Sequence, residues 1–288
     1  MDGDPVMRQA YPRDLTDAQW ELLAELFAEA ERGRPREVNI RDVVDAIFYV
    51  NRTGVQWRYL PHDFPRWDVV YSYFRKWGKD GTWDQFQRLL REGARTKARR
   101  DPTPSLGCVD SQSVKGTACG GDHGIDAHKK VKGVKRHILV DTMGLLLAVV
   151  VTAASVTDAK AACEVFRRAT AEGFPRLKKV LGDHVYGYEG LPAWAKANTT
   201  FRLEITGKKE GETGKRKTGF KVVKWRWVVE RTFAWLGRYR RNSRDYETLP
   251  QTSESMLKIS GIRLMLQRLR PKKTGFIFHY PKPQEKTA

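Results

Sequence analysis

Cysteine is scarce. Three residues, Cys108, Cys119 and Cys163, stand far apart in 288. That excludes a disulfide framework, and no Cys-x-x-Cys pair is present to build a zinc site around His123 and His128. Long apolar runs are missing too. The longest candidate, Leu145 to Ala154, is far below the roughly 18 residues that would suggest a membrane helix. The acidic opening Met1-Asp2-Gly3-Asp4 has no apolar signal region, so a cytoplasmic protein with no membrane partner is expected. Ser111 and Ser113 lack a Gly-x-Ser-x-Gly elbow, which argues against a serine hydrolase. Gly211 to Lys215 lacks phosphate-loop spacing, and Arg216 stands where Ser or Thr is required, which disfavours a nucleotide hydrolase. No internal repeat is visible.

Basic charge is abundant. Lys and Arg number 53 against 34 Asp and Glu, a surplus of +19. With 40% apolar and 11% aromatic residues, the chain can bury a core and is not a disordered tail. The surplus is concentrated in residues 201–288, which hold 22 basic against 8 acidic residues. There Trp225, Trp227, Phe233, Trp235 and Tyr239 alternate with Lys221, Lys224, Arg226, Arg231, Arg238, Arg240, Arg241 and Arg244. Cations answer phosphates, and aromatic faces either stack on bases or pack a core; nucleic acid is the partner expected.

Residues 1–93 read as a helical, DNA-binding N-terminal domain. Thr16 with Asp17 to Gln19 resembles a capping box ahead of Trp20, Leu23 and Phe27. Ile40, Val43, Val44, Ile47 and Phe48 predict a second helix ending near Gly54. Trp67, Val70, Tyr71, Phe74 and Trp77 predict a third, closed by Gly78. Helices joined by tight turns suit a helix-turn-helix module or a plain packing domain. Arg34 and Arg36 lie in a Gly/Pro break suited either to a minor groove or to a basic turn. Residues 94–105 read as a linker.

Residues 106–288 then form a second domain. Strands are predicted over Leu106–Val109, His137–Asp141, Leu145–Thr152, Lys179–Asp183 and Phe201–Thr206. Helices are predicted from Thr157 through Ala171, over 189–197, from Trp225 to Leu236 and from Met256 to Leu269. This order implies an α/β fold, a mixed sheet flanked by helices. Asp110 and Asp183 each follow an apolar run and so end their strands, where sites of open α/β sheets gather. Glu230 lies one turn after Arg226 on one helix face. Such carboxylates either hold hard cations for phosphoryl transfer or serve as ordinary caps and ion pairs. Lys130, Lys132, Lys135 and Arg136 follow the first Asp and suit phosphate contact more than idle surface.

Several motifs converge on one resemblance. Leu15 to Trp20, Gly33 to Arg36, Arg52 to Arg58, Trp67 to Trp77, Val109 to Lys115, Lys129 to His137, Leu139 to Leu145, Gly182 to Tyr186, Arg226 to Leu236 and Arg238 to Arg241 together resemble a bacterial insertion-sequence transposase of the DDE type, in the superfamily of insertion sequences four and five. The resemblance spans almost the whole chain. It implies an RNase H-like catalytic domain in which Asp110, Asp183 and Glu230 bind two Mg²⁺ ions, Mn²⁺ substituting. It implies double-stranded DNA partners, namely the element's terminal inverted repeats and a target, and a dimer or higher oligomer on DNA near the nucleoid. Arg226 matches the motif Arg that precedes the Glu, and Arg231, Arg238 and Arg241 join it as expected DNA contacts. The motif's Tyr and Lys are replaced by Val223 and Gly237, and the second Asp is followed by His184-Val185. A DNA-binding derivative without catalysis and an RNase H-like nuclease without strand joining are the alternatives.

Overall fold

A computed structural model describes residues 8–27, 38–118, 121–188, 190–206 and 225–272. Arg34, Arg36, Cys119 and Val223 lie outside the described residues. The N-terminal helices are α1 (Asp17–Ala24), α2 (Ile40–Thr53), α3 (Trp67–Lys79) and α4 (Thr82–Lys97). Local chemistry sets their ends. Thr16 caps α1 by accepting from the Gln19 amide at 3.3 Å, and Asn39 caps α2 by accepting from the Arg41 amide at 2.9 Å. Gly54 closes α2 at φ +75°, and a Cβ there would meet the Arg240 Cβ at 3.1 Å. Gly54→Ala is therefore expected to cost about 1–2 kcal/mol, read as a lower urea midpoint at unchanged slope.

Two boundaries in this helical region differ from expectation. Gly78 does not stop α3, which runs on to Lys79; its missing side chain instead makes room for Ser255, since a Cβ would approach the Ser255 Oγ to 2.9 Å. The expected linker begins inside α4, whose buried stripe Trp83, Phe86, Leu90 and Ala94 continues through the last turn.

The second half opens with β1 (Leu106–Lys115), β2 (Gly124–Asp126), β3 (Val131–Asp141) and β4 (Leu146–Ala153). It continues with α5 (Asp158–Glu172), β5 (Lys179–Gly182), α6 (Leu191–Asn198), β6 (Arg202–Ile205), α7 (Trp227–Leu236) and α8 (Pro250–Leu269). β3 pairs antiparallel with β1, and with β4 and β2 along its other edge. β5 joins β1 in parallel, and β6 joins β5 in parallel. The result is an α/β fold with a mixed sheet and an N-terminal helical region, consistent with an RNase H-like domain.

Side-chain alternation gives the sheet two different faces. Val109, Leu139 and Val150 pack on α5 through Val165 and Phe166. Cys108, Ile138, Val140 and Leu181 pack on α7 through Val229 and Phe233. A third cluster joins α1–α4 to Met256, Ile259, Ile262, Met265, Leu266 and Leu269 of α8. The helical N-terminus thus shares its core with the last helix of the chain.

Candidate active site and nucleic-acid interface

Parity places the acids. Asp110 shares the sheet face of Cys108, and Asp183 shares that of Leu181, so both carboxylates point to the side where α7 packs. Cys108 pairs with Leu181 in the parallel ladder, and each Asp follows that last pair by two residues. Asp110 does not end its strand: β1 continues to Lys115 because its pairing with β3 persists through Lys115 and Gly133. What ends is β5. Asp110 therefore stands where its parallel neighbour stops, at a strand's carboxyl end.

Asp183 caps a 3₁₀ turn over His184–Gly187, accepting from the Val185 amide at 3.1 Å. His184 is exposed in that turn while Tyr186 is buried beneath it. Gly182 is required here, since a Cβ would press on the Tyr186 Cβ at 3.0 Å. From α7, Arg226 reaches both other carboxylate positions: its guanidinium lies 3.7 Å from Asp183 and 3.1 Å from Glu230. Among the described residues Asp110 has no ion-pair partner within 4.0 Å, and Arg226 and Lys129 act on it only from further off. Burial pushes its carboxyl up to about 6; the Ser111 amide, donating at 2.8 Å, offsets part of this, and the negative charge of Asp183 adds to it.

Among the described residues no three His, Cys, Asp or Glu side chains close on a single point. Glu230 is turned toward Arg226. The donor chemistry nonetheless suits a hard divalent cation: two carboxylates on neighbouring strands, one destabilised by the other's charge, with a third on the adjoining helix.

The opposite face of β1 carries a buried polar network that the sequence did not reveal. Ser111 donates to Asp158 at 2.8 Å and Ser113 to Asp126 at 2.5 Å. Lys135 lies 3.5 Å from Asp126 and 3.2 Å from Asp158, and donates to the Val156 carbonyl. His137 is held neutral at neutral pH, burial pulling its pKa down to about 4. Asp158 reads in sequence only as a first-turn helix residue; its role depends on strands paired far along the chain.

The expected DNA contacts divide. Lys130 and Lys132 are exposed and border an open groove of about 440 Å³ with Lys115 and Arg244. Arg238 is exposed. Arg231 is half-buried between the Trp227 and Trp235 rings, 4.3 and 4.2 Å from their centroids. Three others are corrected. Lys135 is engaged as above. Arg136 is buried and donates to the Asn242 and Arg244 carbonyls. Arg241 is buried against Glu247 at 2.7 Å. All three are enclosed in the fold and turned to protein partners rather than to the surface. Of the interleaved aromatics, Phe233 and Tyr239 are core residues, whereas Trp227 is exposed.

Two families of known proteins match the chain. Residues 101–265 match the transposase DDE domain family, and residues 15–87 match a transposase family of the IS4/5 type. The chain belongs to the IS4/5-family DDE transposases. No curated protein matches it. The DDE match covers every strand of the transposase sheet, both aspartates and the α7 glutamate. No helix among the described residues is long and apolar enough to cross a membrane.

Proposed function

We propose that this transposase cuts the ends of its own insertion sequence and joins the freed 3′-hydroxyls to target DNA. The supporting observation is the placement of Asp110 and Asp183 on the sheet face that packs on α7, with Arg226 standing between Asp183 and Glu230 of that helix. Asp110, Asp183 and Glu230 would hold two Mg²⁺, with Mn²⁺ as substitute. Bound there, the ions would make the attacking oxygen a better nucleophile and stabilise the leaving one.

The reaction is two in-line displacements. Water attacks phosphorus at the element end; the P–O3′ bond breaks and a 3′-hydroxyl is released. That hydroxyl loses its proton and attacks a target phosphodiester, whose own O3′ leaves and is protonated. The second step conserves the number of phosphodiester bonds, so no nucleotide cofactor is needed. Arg226 pairs with Asp183 and Glu230 in this structure; with those carboxylates holding cations, its planar guanidinium would be free to hold a phosphate. Lys130, Lys132 and Arg238 are the exposed cations suited to the flanking backbone, and the N-terminal helices with Arg34 and Arg36 to sequence reading. Two element ends imply a dimer or larger assembly on DNA, in the cytoplasm at the nucleoid.

The test is a labelled duplex made from the DNA flanking the gene, incubated with wild type and Glu230→Ala, with Mg²⁺ and with chelator. Nicks at defined ends that need both Mg²⁺ and Glu230, followed by joined products, are expected. Cuts without joining would assign a nuclease. Tight binding with no cuts, in a folded protein, would assign a DNA-binding role.

A further inference from the structure

Away from the carboxylates, a cavity of about 150 Å³ opens where the N-terminal helices meet the end of α7 and the middle of α8. Four guanidinium groups line it: Arg13, Arg52, Arg238 and Arg263. They come from residues some 250 positions apart, and no carboxylate is in the lining. Among the described residues, none of the four lies within ion-pair distance of an acid.

Arg263 is the informative member. It is 6% exposed, and its Nη1 has no hydrogen-bond partner. Its Nη2 donates to the Arg13 carbonyl at 2.5 Å, and its guanidinium lies 4.8 Å from the Phe48 ring centroid. A buried cation with an idle donor is costly unless something supplies an acceptor. The nearest acids do not. Asp14 is paired with Arg8 at 2.8 Å, and burial pushes the Asp45 carboxyl up to about 7, so its charge is only partial near neutrality. Burial and the neighbouring Arg13 both lower the pKa of Arg263. Arg52 is held in place by donating to the Arg238 carbonyl at 2.6 Å and lying over the Tyr239 ring. Arg52 and Arg263 are thus held in place, while Arg13 and Arg238 are exposed at the cavity mouth.

Volume and charge select the occupant. The cavity is roughly five times a water's share of the liquid, room for a tetrahedral oxyanion and a water or two. Converging guanidinium forks match the oxygens of a phosphate group. Trp235 and Arg238 follow Glu230 by five and eight residues, so the cavity begins about 8 Å further along the helix axis.

We propose that this cavity is an oxyanion site that seats a phosphodiester group of bound DNA, beyond the one at the carboxylates. It clamps the N-terminal helices, α7 and α8 to one strand. The assignment of the oxyanion to DNA rests on the function proposed above; the existence of the oxyanion site does not.

The test uses the full chain and two probes. The first is inorganic phosphate against chloride at matched ionic strength, read as a shift in melting temperature. Wild type is expected to gain several degrees in phosphate. Arg13→Gln/Arg52→Gln, both on the cavity rim, is expected to lose that gain, and so is Arg263→Met if it folds. The second probe is a duplex oligonucleotide, with affinity followed against salt. The double variant is expected to flatten the log–log slope by about one, the signature of one lost phosphate contact. Wild type that melts alike in both anions would overturn the site. Phosphate protection lost with an unchanged DNA slope would overturn its assignment to DNA. Asp110→Asn serves as the control: it is expected to keep both signals. If that variant still cuts DNA, the catalytic assignment fails while the phosphate result stands by itself.

Discussion

Asp110→Asn is expected to be inactive yet more stable than wild type at pH 7. The carboxylate is half-buried and feels the charge of Asp183, and the neighbouring guanidinium of Arg226 is committed to Asp183 and Glu230. Its folded pKa of about 6 lies above the ordinary 3.8. The sign follows from linkage. A raised carboxyl favours the folded state while protonated, so this contribution is fully present below about pH 3.8 and is lost as pH rises through 6. At pH 7 the ionised group costs on the order of 2–3 kcal/mol, which a neutral isostere removes. Cleavage should meanwhile fall about a thousandfold or more, equivalent to roughly 4 kcal/mol of transition-state stabilisation. Adding Mg²⁺ should raise the melting temperature of wild type and leave the variant unmoved, because a ligand stabilises only the state that binds it. Melting curves with and without Mg²⁺, beside the duplex assay, check all three outcomes. A variant that is less stable at pH 7, or that still cuts, would remove Asp110 from the site.

The second large effect concerns the joint between the helical region and the sheet. Arg95 near the end of α4 forms an ion pair with Asp141 at the end of β3, and neither side chain is more than 6% exposed. Arg95 also donates to the Asp101 carbonyl at 2.7 Å, while Asp141 accepts from the Met143 and Leu145 amides at 2.8 and 2.9 Å. The pair therefore fixes both the connection after α4 and the turn between β3 and β4. Arg95→Met would leave a fully buried, uncompensated carboxylate at a cost of about 3–5 kcal/mol. For a chain of this size that corresponds to a fall in melting temperature on the order of 10 °C. Adding Asp141→Asn should recover part of the loss, since the stranded charge goes with it. A double-mutant cycle by urea denaturation reads the coupling. A single-variant loss below about 1 kcal/mol would mean that the pair does not hold the two regions together.

Much of this protein was legible in its residues. Capping at Thr16 and the left-handed Gly54 act within one turn of chain, so local pattern located both helix ends. The apolar runs before Asp110 and Asp183, and the four-residue spacing of Arg226 and Glu230, marked the acidic positions for the same reason. The net surplus of +19 pointed to a polyanion without any knowledge of the fold.

Pairing across long separations was not legible. Whether β1 stops at Val109 or runs to Lys115 depends on how far β3 accompanies it, and Asp110 lacks a parallel partner only because β5 ends first. In one dimension Lys132 and Lys135 look equivalent; in the fold one faces solvent and the other is enclosed by Asp126 and Asp158. The periodicity of α8 predicts a helix but not its partner, which is the N-terminal cluster more than 150 residues away. Charge, caps and spacing are properties of a segment and its neighbours. Which cations are satisfied inside and which remain for phosphate is settled by packing between segments, so the arginine cavity of Arg13, Arg52, Arg238 and Arg263 exists only in the tertiary structure.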